Sequence, residues 1–336
     1  MTALVVGEDG ALPLPWLNAP LADTLARQRG HALLLHGAEG IGTLPFAIVL
    51  AQALLCEGGA GAARPCGRCG SCRLVQQHVH PDLFVLLPET LRQAVSWPLA
   101  DDKPDDEGKR KPSKQIRIAE VRAATDWVTK TSSRGRGKVV LLHPAEAINL
   151  QAANALLKTL EEPPPGTRLL LGVADPARLL PTVRSRCQHV LLPAPSAEDA
   201  TAWLAAQGTA DAAVLLAAAS GRPLEAQALA AAGIDGAAWS ALPQAVARGN
   251  AAPFAGWAVP RALDALQKLC HDALAVAGGG TARYFPQVPR AANLQALADW
   301  SRTLMRVAEN GEHPWHEGLL LDALVSEGSR ALTLRP

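Results

Sequence analysis

The sequence contains few aromatic residues and almost no net charge. Aromatic side chains make up 4% of the 336 residues and include a single tyrosine, whereas hydrophobic residues make up 49%. Because many of these are alanines, the composition favours helices packed closely on one another over an aromatic-rich β-sandwich. The formal net charge of +1 excludes a global field that would attract nucleic acid or a membrane surface, so any basic patch must be local.

Long apolar runs are also missing. No stretch approaches the ~20 apolar residues of a membrane span, and no basic segment followed by an apolar one marks an export signal at the N-terminus. We therefore expect a cytoplasmic protein that does not contact membranes. A chain of 336 residues can bury a sizeable core and is predicted to form about two or three domains.

A glycine-rich loop lacks the cation that its pattern normally carries. Residues 36–44 read H-G-A-E-G-I-G-T-L between an apolar run and an Ala-rich helical one, which keeps the G-x-x-x-x-G frame of a phosphate-binding loop. In such loops a Lys contacts the β- and γ-phosphates and a Ser or Thr hydroxyl binds Mg²⁺, but this chain has Thr43 and Leu44 there. We expect no functional ATP site: either backbone N–H groups still hold a lone anion weakly, or the glycines serve packing alone. The residues of this degenerate phosphate loop are Gly37, Gly40, Gly42 and Thr43.

A second nucleotide-binding motif is altered as well. The apolar run from Lys138 to His143 predicts a strand that is buried on both faces of a parallel sheet. A hydrolysing NTPase carries acidic metal and water ligands at the end of this strand, whereas this chain has His143 and Pro144. Glu146 follows and is explained as a charge at a helix N-terminus. The losses at both motifs argue against ATP turnover by this chain.

Four of the six cysteines lie close together, with the spacing C-x9-C-x2-C-x2-C. Four thiolates around Zn²⁺ need tight turns between close ligands, and the short spacings with interleaved glycines provide them. Without an export signal the crowding favours metal over disulfides, and four protein ligands leave no open position, so we predict a structural Zn²⁺. The alternatives are reduced surface thiols, a redox C-x-x-C pair or an iron–sulfur cluster. The predicted ligands are Cys56, Cys66, Cys69 and Cys72.

A basic segment spans residues 109–138. It holds ten Lys or Arg residues and two acidic ones, a local net charge of +8, and its apolar residues have helical spacing. The cations projecting from this helix and the following turn are suited to DNA phosphates; an ordinary solvated face is the alternative. The charged stretch at 100–114 has nothing apolar to bury from Asp101 onward, which predicts a mobile, solvated loop. The candidate DNA-contacting residues are Arg117, Arg122, Lys130, Arg134 and Arg136.

Apolar runs near residues 32, 83, 138, 168 and 188 predict strands, mostly separated by helical patterns. This alternation is typical of a doubly wound α/β core with a parallel sheet. Beyond Pro193 the sequence becomes Ala- and Leu-rich and reads as helix. We expect an α/β domain over 1–193 with the cysteine module inserted, a small helical lid over 194–236 and an all-α C-terminal domain over 237–336.

Together, these motifs resemble those of the AAA+ subunits of bacterial clamp loaders. The resemblance covers residues 15–193. It rests on the glycine loop, the cysteine module, H-P-D at 80–82, A-A-N-A-L-L-K-T-L-E-E-P-P at 152–164 and R-L-L-P-T-V-R-S-R-C at 178–187. It implies an AAA+ core, a lid and a helical collar that holds the subunits in a hetero-pentameric ring. The implied partners are the motor subunits and the delta subunit, with the sliding clamp and primed DNA contacted indirectly or weakly.

By this resemblance the chain is a stator subunit, which does not hydrolyse ATP. Motor subunits keep Lys and Thr in the glycine loop and acidic residues after the third strand, and family members often have a polar residue after the fourth, where this chain has Gly172. The resemblance makes Arg186 an arginine finger that reaches the γ-phosphate on a neighbouring motor subunit, within an S-R-C motif formed with Ser185 and Cys187. The alternatives are a simple surface arginine and, for the whole protein, an active motor subunit or a zinc-knuckle DNA-binding protein.

Overall fold

The chain divides into two compact units, Met1–Pro195 and Ser196–Pro336, in the computed structural model. The structure describes residues 4–58, 63–98, 111–289, 293–310 and 316–333. Most of the loop predicted at 100–114 lies outside these residues. Each unit is described by itself below.

The first unit is built on a parallel five-stranded sheet with the strand order β2-β3-β4-β1-β5. The strands begin where the apolar runs predict them, so this part of the fold prediction is confirmed. All four pairings are parallel, so the carboxyl ends of the strands meet at one edge of the sheet, where the loops after β1, β3 and β4 lie side by side. The strands are β1 Ala32–His36, β2 Leu83–Leu86, β3 Lys138–Leu142, β4 Thr167–Val173 and β5 Gln188–Leu191.

Helices cover both faces of this sheet. Their bounds are α1 Asn18–Arg27, α2 Thr43–Leu55, α3 Gly70–Gln76, α4 Glu89–Ala94, α5 Ile118–Val128, α6 Leu150–Glu161 and α7 Pro181–Arg184. Helix α2 is apolar all round and almost wholly buried, and it packs on β3 and β4. Alternate residues of β3 point to opposite faces, and Val140 and Leu142 share a buried cluster with Val121 of α5 and Leu156 of α6. The sheet is therefore the centre of the core, and β3 is buried along its whole length.

Three short helices of the first unit, α3, α4 and α7, were not expected from the sequence. Helix α3 lies inside the cysteine module, where the glycines favour turns. It forms because Cys69 caps it: the Cys69 sulfur accepts a hydrogen bond from the backbone N–H of Cys72. The sequence pattern gives no warning of a cap of this kind, since a thiol is an uncommon N-cap.

The second unit consists of helices in its described residues. Helices α8, α9 and α10 pack on one another, and α11 to α14 form a second packed group. Helix α9 contacts α11, which joins the two groups. Trp239 and Trp300 are buried in the helical core, and their indole N–H groups donate to the backbone carbonyls of Tyr284 and Leu324 at 3.0 Å each. The bounds are α8 Ala197–Ala206, α9 Ala212–Ala218, α10 Pro223–Ala231, α11 Gly236–Ala247, α12 Val259–Ala277, α13 Leu294–Glu309 and α14 Glu317–Leu332.

The helical character predicted beyond Pro193 is thus confirmed, while the division into lid and collar stays a prediction. Cys270 of α12 is 2% exposed, as expected of a buried thiol. Among the residues that the structure describes, no helix combines the length and the apolarity that crossing a bilayer requires.

Candidate functional site

The glycine loop between β1 and α2 is packed tightly against apolar side chains. Gly42 has a φ of 108°, in the left-handed region, and a Cβ placed there would lie 2.1 Å from Leu14 Cδ1. A Cβ on Gly37 would lie 2.6 Å from Ile41 Cδ1. Leu14 and Ile41 are both fully buried. These glycines are therefore required for close packing, which is the reading that the sequence left open beside phosphate binding.

The positions of the missing cation and the missing hydroxyl are closed to solvent. Thr43 is 8% exposed and Leu44 is 7% exposed, because both begin the buried helix α2. The helix N-terminus still points toward the loop, but Glu39 adds an exposed negative charge there. The loop thus offers backbone N–H groups without a cation at either motif position.

A neutral histidine occupies the end of β3. A Cβ on Gly172 of β4 would lie 2.5 Å from His143 Nδ1 and 3.3 Å from Thr43 Cγ2, so these three residues come together at the carboxyl edge of the sheet. Burial lowers the pKa of His143 to about 4, so the imidazole is uncharged at neutral pH. Its Nδ1 has no hydrogen-bond partner within the described residues. The place where a hydrolysing NTPase holds acidic groups therefore carries no charge from this side chain.

Glu146, the remaining acidic residue after β3, is used for structure. Its Oε1 accepts the backbone N–H of Ala174 at 2.7 Å and that of Asp175 at 3.2 Å. The carboxylate thus fixes the turn that follows β4, a role that the sequence did not suggest beyond a charge at a helix start.

Arg186 follows α7 at the surface of the first unit. Its Nη2 lies 2.5 Å from Glu161 Oε1 at the end of α6, and its Nη1 donates to the backbone carbonyl of Thr182 at 2.9 Å. About a third of the side chain is exposed, at 36%. The guanidinium is held on the protein's own surface but remains accessible to another molecule. The sequence did not indicate Glu161 as its partner.

The other two residues of the S-R-C motif have different surroundings. Ser185 is exposed, and its hydroxyl donates to the backbone carbonyl of Thr182. Cys187 is buried, its thiol donates to the carbonyl of Val183 at 3.3 Å, and burial raises its pKa to about 12. A thiol in this state is inert, and Cys187 belongs to the buried hydrophobic cluster that also contains Val183.

The four clustered cysteines converge on one point. Their sulfurs all lie within 4.8 Å of one another, and the Cys56–Cys69 and Cys66–Cys72 pairs are 3.9 and 4.0 Å apart. A covalent S–S bond is about 2.05 Å long, so these are free thiols rather than disulfides. In a tetrahedron with metal–sulfur bonds of about 2.3 Å the sulfurs are about 3.8 Å apart, which the observed distances approach. The cluster could therefore hold a metal ion.

Backbone N–H groups point at these sulfurs. Cys56 accepts from Gly58 at 3.3 Å and from Cys66 at 3.4 Å, and Cys69 accepts from Glu57 at 3.4 Å. Burial raises the pKa of Cys66, but hydrogen bonds from the backbone and from neighbouring thiols outweigh it and bring the value to about 6. Burial and the neighbouring thiols raise the pKa of Cys72. A divalent cation would compete with these protons for the sulfurs.

Two residues of H-P-D at 80–82 connect this module to the sheet. His80 is 5% exposed, as expected of a structural histidine, and its Nε2 lies 3.1 Å from Ser71 Oγ. Asp82 is fully buried at the start of β2 and accepts three hydrogen bonds from the turn 132–134. The motif is visible in the sequence, but its contacts are not. The only hint of them is that a carboxylate, Asp82, stands directly before a predicted strand.

The basic segment splits into two groups. Arg122, Lys130 and Arg136 are exposed and form no ion pair within the described structure. Arg117 pairs with Glu89, and Arg134 pairs with Glu57 beside the cysteines. The first group presents free cations, whereas the charges of the second group are already compensated inside the protein.

The first unit carries the similarity of this chain to a known protein family. The family model described as "DNA polymerase III, delta subunit" matches residues 20–196, more than half of the chain. The chain belongs to the delta-prime family of DNA polymerase III subunits. The delta-prime subunit of Pseudomonas aeruginosa is 42% identical over 220 residues, which are 64% of this chain and 60% of that protein. The Escherichia coli delta-prime subunit is 34% identical over 61% of this chain and 56% of its own length.

The delta-prime family is also related to other subunits of the polymerase. The tau subunit of Escherichia coli is 33% identical over 196 residues, which cover 58% of this chain and 26% of that protein. The chain matches between 51% and 60% of the length of the first four delta-prime relatives. The segment matched by the family model, residues 20–196, contains the glycine loop, the cysteine cluster and Arg186 of this chain.

Proposed function

We propose that this chain is a non-hydrolysing AAA+ subunit of the DNA polymerase III clamp loader, which lends Arg186 to the ATP site of a neighbouring motor subunit. One observation carries the proposal. The loop that resembles a phosphate site is packed with buried apolar side chains and has no cation, whereas Arg186 is accessible beyond α7. Membership of the delta-prime family supports the assignment to the clamp loader. In this role the subunit supports loading of the sliding clamp onto primed DNA.

The chemistry suits a residue supplied from outside the nucleotide-binding subunit. A guanidinium is charged at every physiological pH and presents its donors in a planar fork, which matches phosphate oxygens. Placed against a γ-phosphate, it offsets the charge that develops on the transferred phosphoryl group. Its ion pair with Glu161 is exposed and worth about 0–1 kcal/mol, so exchanging that carboxylate for a phosphate costs little.

The ring partners follow from the same proposal. Motor subunits and the delta subunit would complete a hetero-pentamer, and the helices from α11 onward would form the collar that holds it together. The helical lid over 194–236 would connect the α/β domain to the collar. Contacts with the clamp and with primed DNA would be indirect or weak.

The cysteine cluster is proposed to hold a structural Zn²⁺. The fit rests on four thiol donors at near-tetrahedral separations and on N–H groups directed at the sulfurs. Zn²⁺ bound by four thiolates has no open position, so it would stabilise the module and take no part in a reaction. Elemental analysis of the purified chain is expected to return about one zinc per chain; a different metal or none would refute this assignment.

Two measurements test the stator proposal. The isolated chain is expected neither to hydrolyse ATP nor to bind it with useful affinity, and appreciable turnover would show that it is a motor subunit instead. In the reconstituted complex, Arg186→Ala is expected to lower turnover at the site it completes by about 10³-fold or more. Arg184→Ala, two residues away, is the matched control. Wild-type ATPase and clamp loading with Arg186→Ala would exclude an arginine finger.

A second candidate, direct DNA binding, is favoured by the free cations Arg122, Lys130 and Arg136. The isolated chain would then bind duplex DNA with an affinity that falls as salt rises. The charge reversals Arg122→Glu and Lys130→Glu together would weaken binding, whereas Arg248→Glu, at an exposed position of the second unit, would not. Equal binding by all these variants would exclude this surface.

A further inference from the structure

Arg134 joins two halves of the cysteine module that are separate in sequence. Glu57, which follows Cys56, accepts a hydrogen bond on Oε1 from Arg134 Nε at 2.7 Å and another on Oε2 from Arg134 Nη2 at 3.0 Å. This is the two-pronged geometry in which a guanidinium binds a carboxylate most specifically. A carboxylate that accepts both donors of a guanidinium is held in its ionised form, so Arg134 and Glu57 form an ion pair.

The same guanidinium also contacts the second half of the module. Arg134 Nε lies within donating distance of Ser71 Oγ at 3.0 Å, and the backbone N–H of Ser71 donates to Glu57 Oε2 at 3.4 Å. Ser71 directly precedes Cys72 on α3. A Cβ on Gly70 would lie 2.8 Å from Arg134 Nη2, so the glycine at this position leaves room for the guanidinium. Arg134 thus bridges the Cys56 segment and the helix that carries Cys72.

The backbone of Arg134 is itself fixed to the core. Its N–H donates to Asp82 Oδ2 at 2.8 Å, and the N–H of Ser133 donates to Asp82 Oδ1 at 2.7 Å. The backbone N–H of Asp82 donates to His80 Nδ1, which leaves the proton of the neutral ring on Nε2, where it is donated to Ser71 Oγ. A closed set of hydrogen bonds therefore runs from the start of β2 through the turn to both halves of the module.

Electrostatics give Arg134 a second task. Four thiolates and one divalent cation carry a net charge of −2, and the ionised Glu57 lies beside them. Arg134 is the cation whose side chain contacts Glu57 and lies against the module. Removing it would leave a carboxylate next to an anionic centre without its partner, which is unfavourable in a half-buried setting.

We infer that Arg134 is a positioning residue for metal binding at the four cysteines: it holds the Cys56 and Cys69–Cys72 halves together and compensates their charge. This inference rests on the proposed metal site. It assigns Arg134 to the module and leaves Arg122, Lys130 and Arg136 for contacts with phosphates. Partners of this kind, one shell beyond the ligands, typically change metal affinity by about 10- to 100-fold.

The test compares Arg134→Ala with Arg136→Ala in the full chain, because both remove one arginine from the same turn. Zinc release to a chromophoric chelator is expected to be at least about tenfold faster for Arg134→Ala and unchanged for Arg136→Ala. Arg134→Lys keeps the charge without the fork and is expected to fall between wild type and Arg134→Ala. If Arg134→Ala releases zinc no faster than Arg136→Ala does, the inference is overturned.

A second readout separates metal positioning from general stability. The difference in unfolding midpoint between the zinc-loaded and zinc-free forms is expected to shrink in Arg134→Ala, because the metal is bound less tightly. An equal decrease in both forms would mean that Arg134 only supports the fold, which also overturns the inference. If Arg134→Ala does not fold, Ser71→Ala serves in its place with the same expectations. If the wild-type protein binds no metal, the proposed metal site is wrong. This outcome differs from one in which wild type binds metal and Arg134→Ala behaves like wild type.

Discussion

Arg186 Nη2 lies 2.5 Å from Glu161 Oε1, so the arginine assigned to another subunit's site is paired within its own chain. Both side chains are partly exposed, at 36% and 49%. Exposed pairs of this kind are worth about 0–1 kcal/mol. The pair therefore orients the guanidinium on the surface without fixing it there, and in the proposed ring a triphosphate on a neighbouring subunit would compete with Glu161 for it.

The stability of the isolated chain is expected to be almost independent of this pair. Arg186→Ala and Glu161→Gln should each change the free energy of unfolding by less than about 1 kcal/mol, measured by urea denaturation. Glu162→Gln is the matched control for Glu161. A loss of several kcal/mol on Arg186→Ala would mean that the arginine is mainly a structural residue, and its effect in the complex could not then be read as catalytic.

Restoring the two missing residues of the glycine loop should not restore ATP binding. Thr43→Lys with Leu44→Thr would place an ammonium and a hydroxyl at positions that are only 8% and 7% exposed. The tight apolar packing around Gly37 and Gly42 remains, as does the uncharged His143. We expect an ATP dissociation constant weaker than about 1 mM by calorimetry, in a variant checked for folding by circular dichroism. Micromolar binding would show that the loop opens more readily than its packing indicates.

Metal removal should destabilise the first unit. A chelator strong enough to strip the cysteines is expected to lower the unfolding midpoint, and a metal present at about 100 times its dissociation constant contributes about 2.7 kcal/mol. Cys72→Ser should abolish stoichiometric binding. Cys270→Ser, at a buried thiol outside the cluster, should retain it. An unchanged midpoint after complete metal removal would contradict a stabilising role.

His143 should make the protein less stable in mild acid. Its pKa is about 4 in the folded protein against an ordinary value of 6.5, because burial disfavours the charged ring. Between these two pH values His143 binds a proton in the unfolded chain but stays neutral in the folded one. The free energy of unfolding therefore decreases as pH falls from about 6.5 toward about 4, by about 3 kcal/mol. His143→Asn should flatten this part of the pH dependence, because asparagine does not titrate. Identical slopes for wild type and His143→Asn would contradict the assignment.

The strands and long helices could be predicted from the sequence because their signals are local. The apolar run at Lys138–Leu142 is a strand buried on both faces, and the helix predicted after Asn149 begins at Leu150 with Asn149 as its cap. Helices α8 and α9 end shortly before Gly208 and Gly221, because a glycine with a positive φ readily terminates a helix.

The contacts that give the candidate sites their character could not be predicted in this way. Glu57 and Arg134 are far apart in sequence, and only the fold brings them together beside the cysteines. The pairing of Arg186 with Glu161 likewise depends on how α6 ends relative to α7. The cysteine cluster itself was predictable, because spacing within a short segment is enough to bring its ligands to one point.

The close contact between His143 and Gly172 also bears on how this chain can change over evolutionary time. A polar side chain at position 172 would collide with the imidazole, whose Nδ1 lies 2.5 Å from the place of its Cβ. An acidic residue at position 143 would in turn lie next to Gly172, which has no side chain to neutralise its charge. Positions 143 and 172 are therefore coupled, and a change at one of them requires a compensating change at the other.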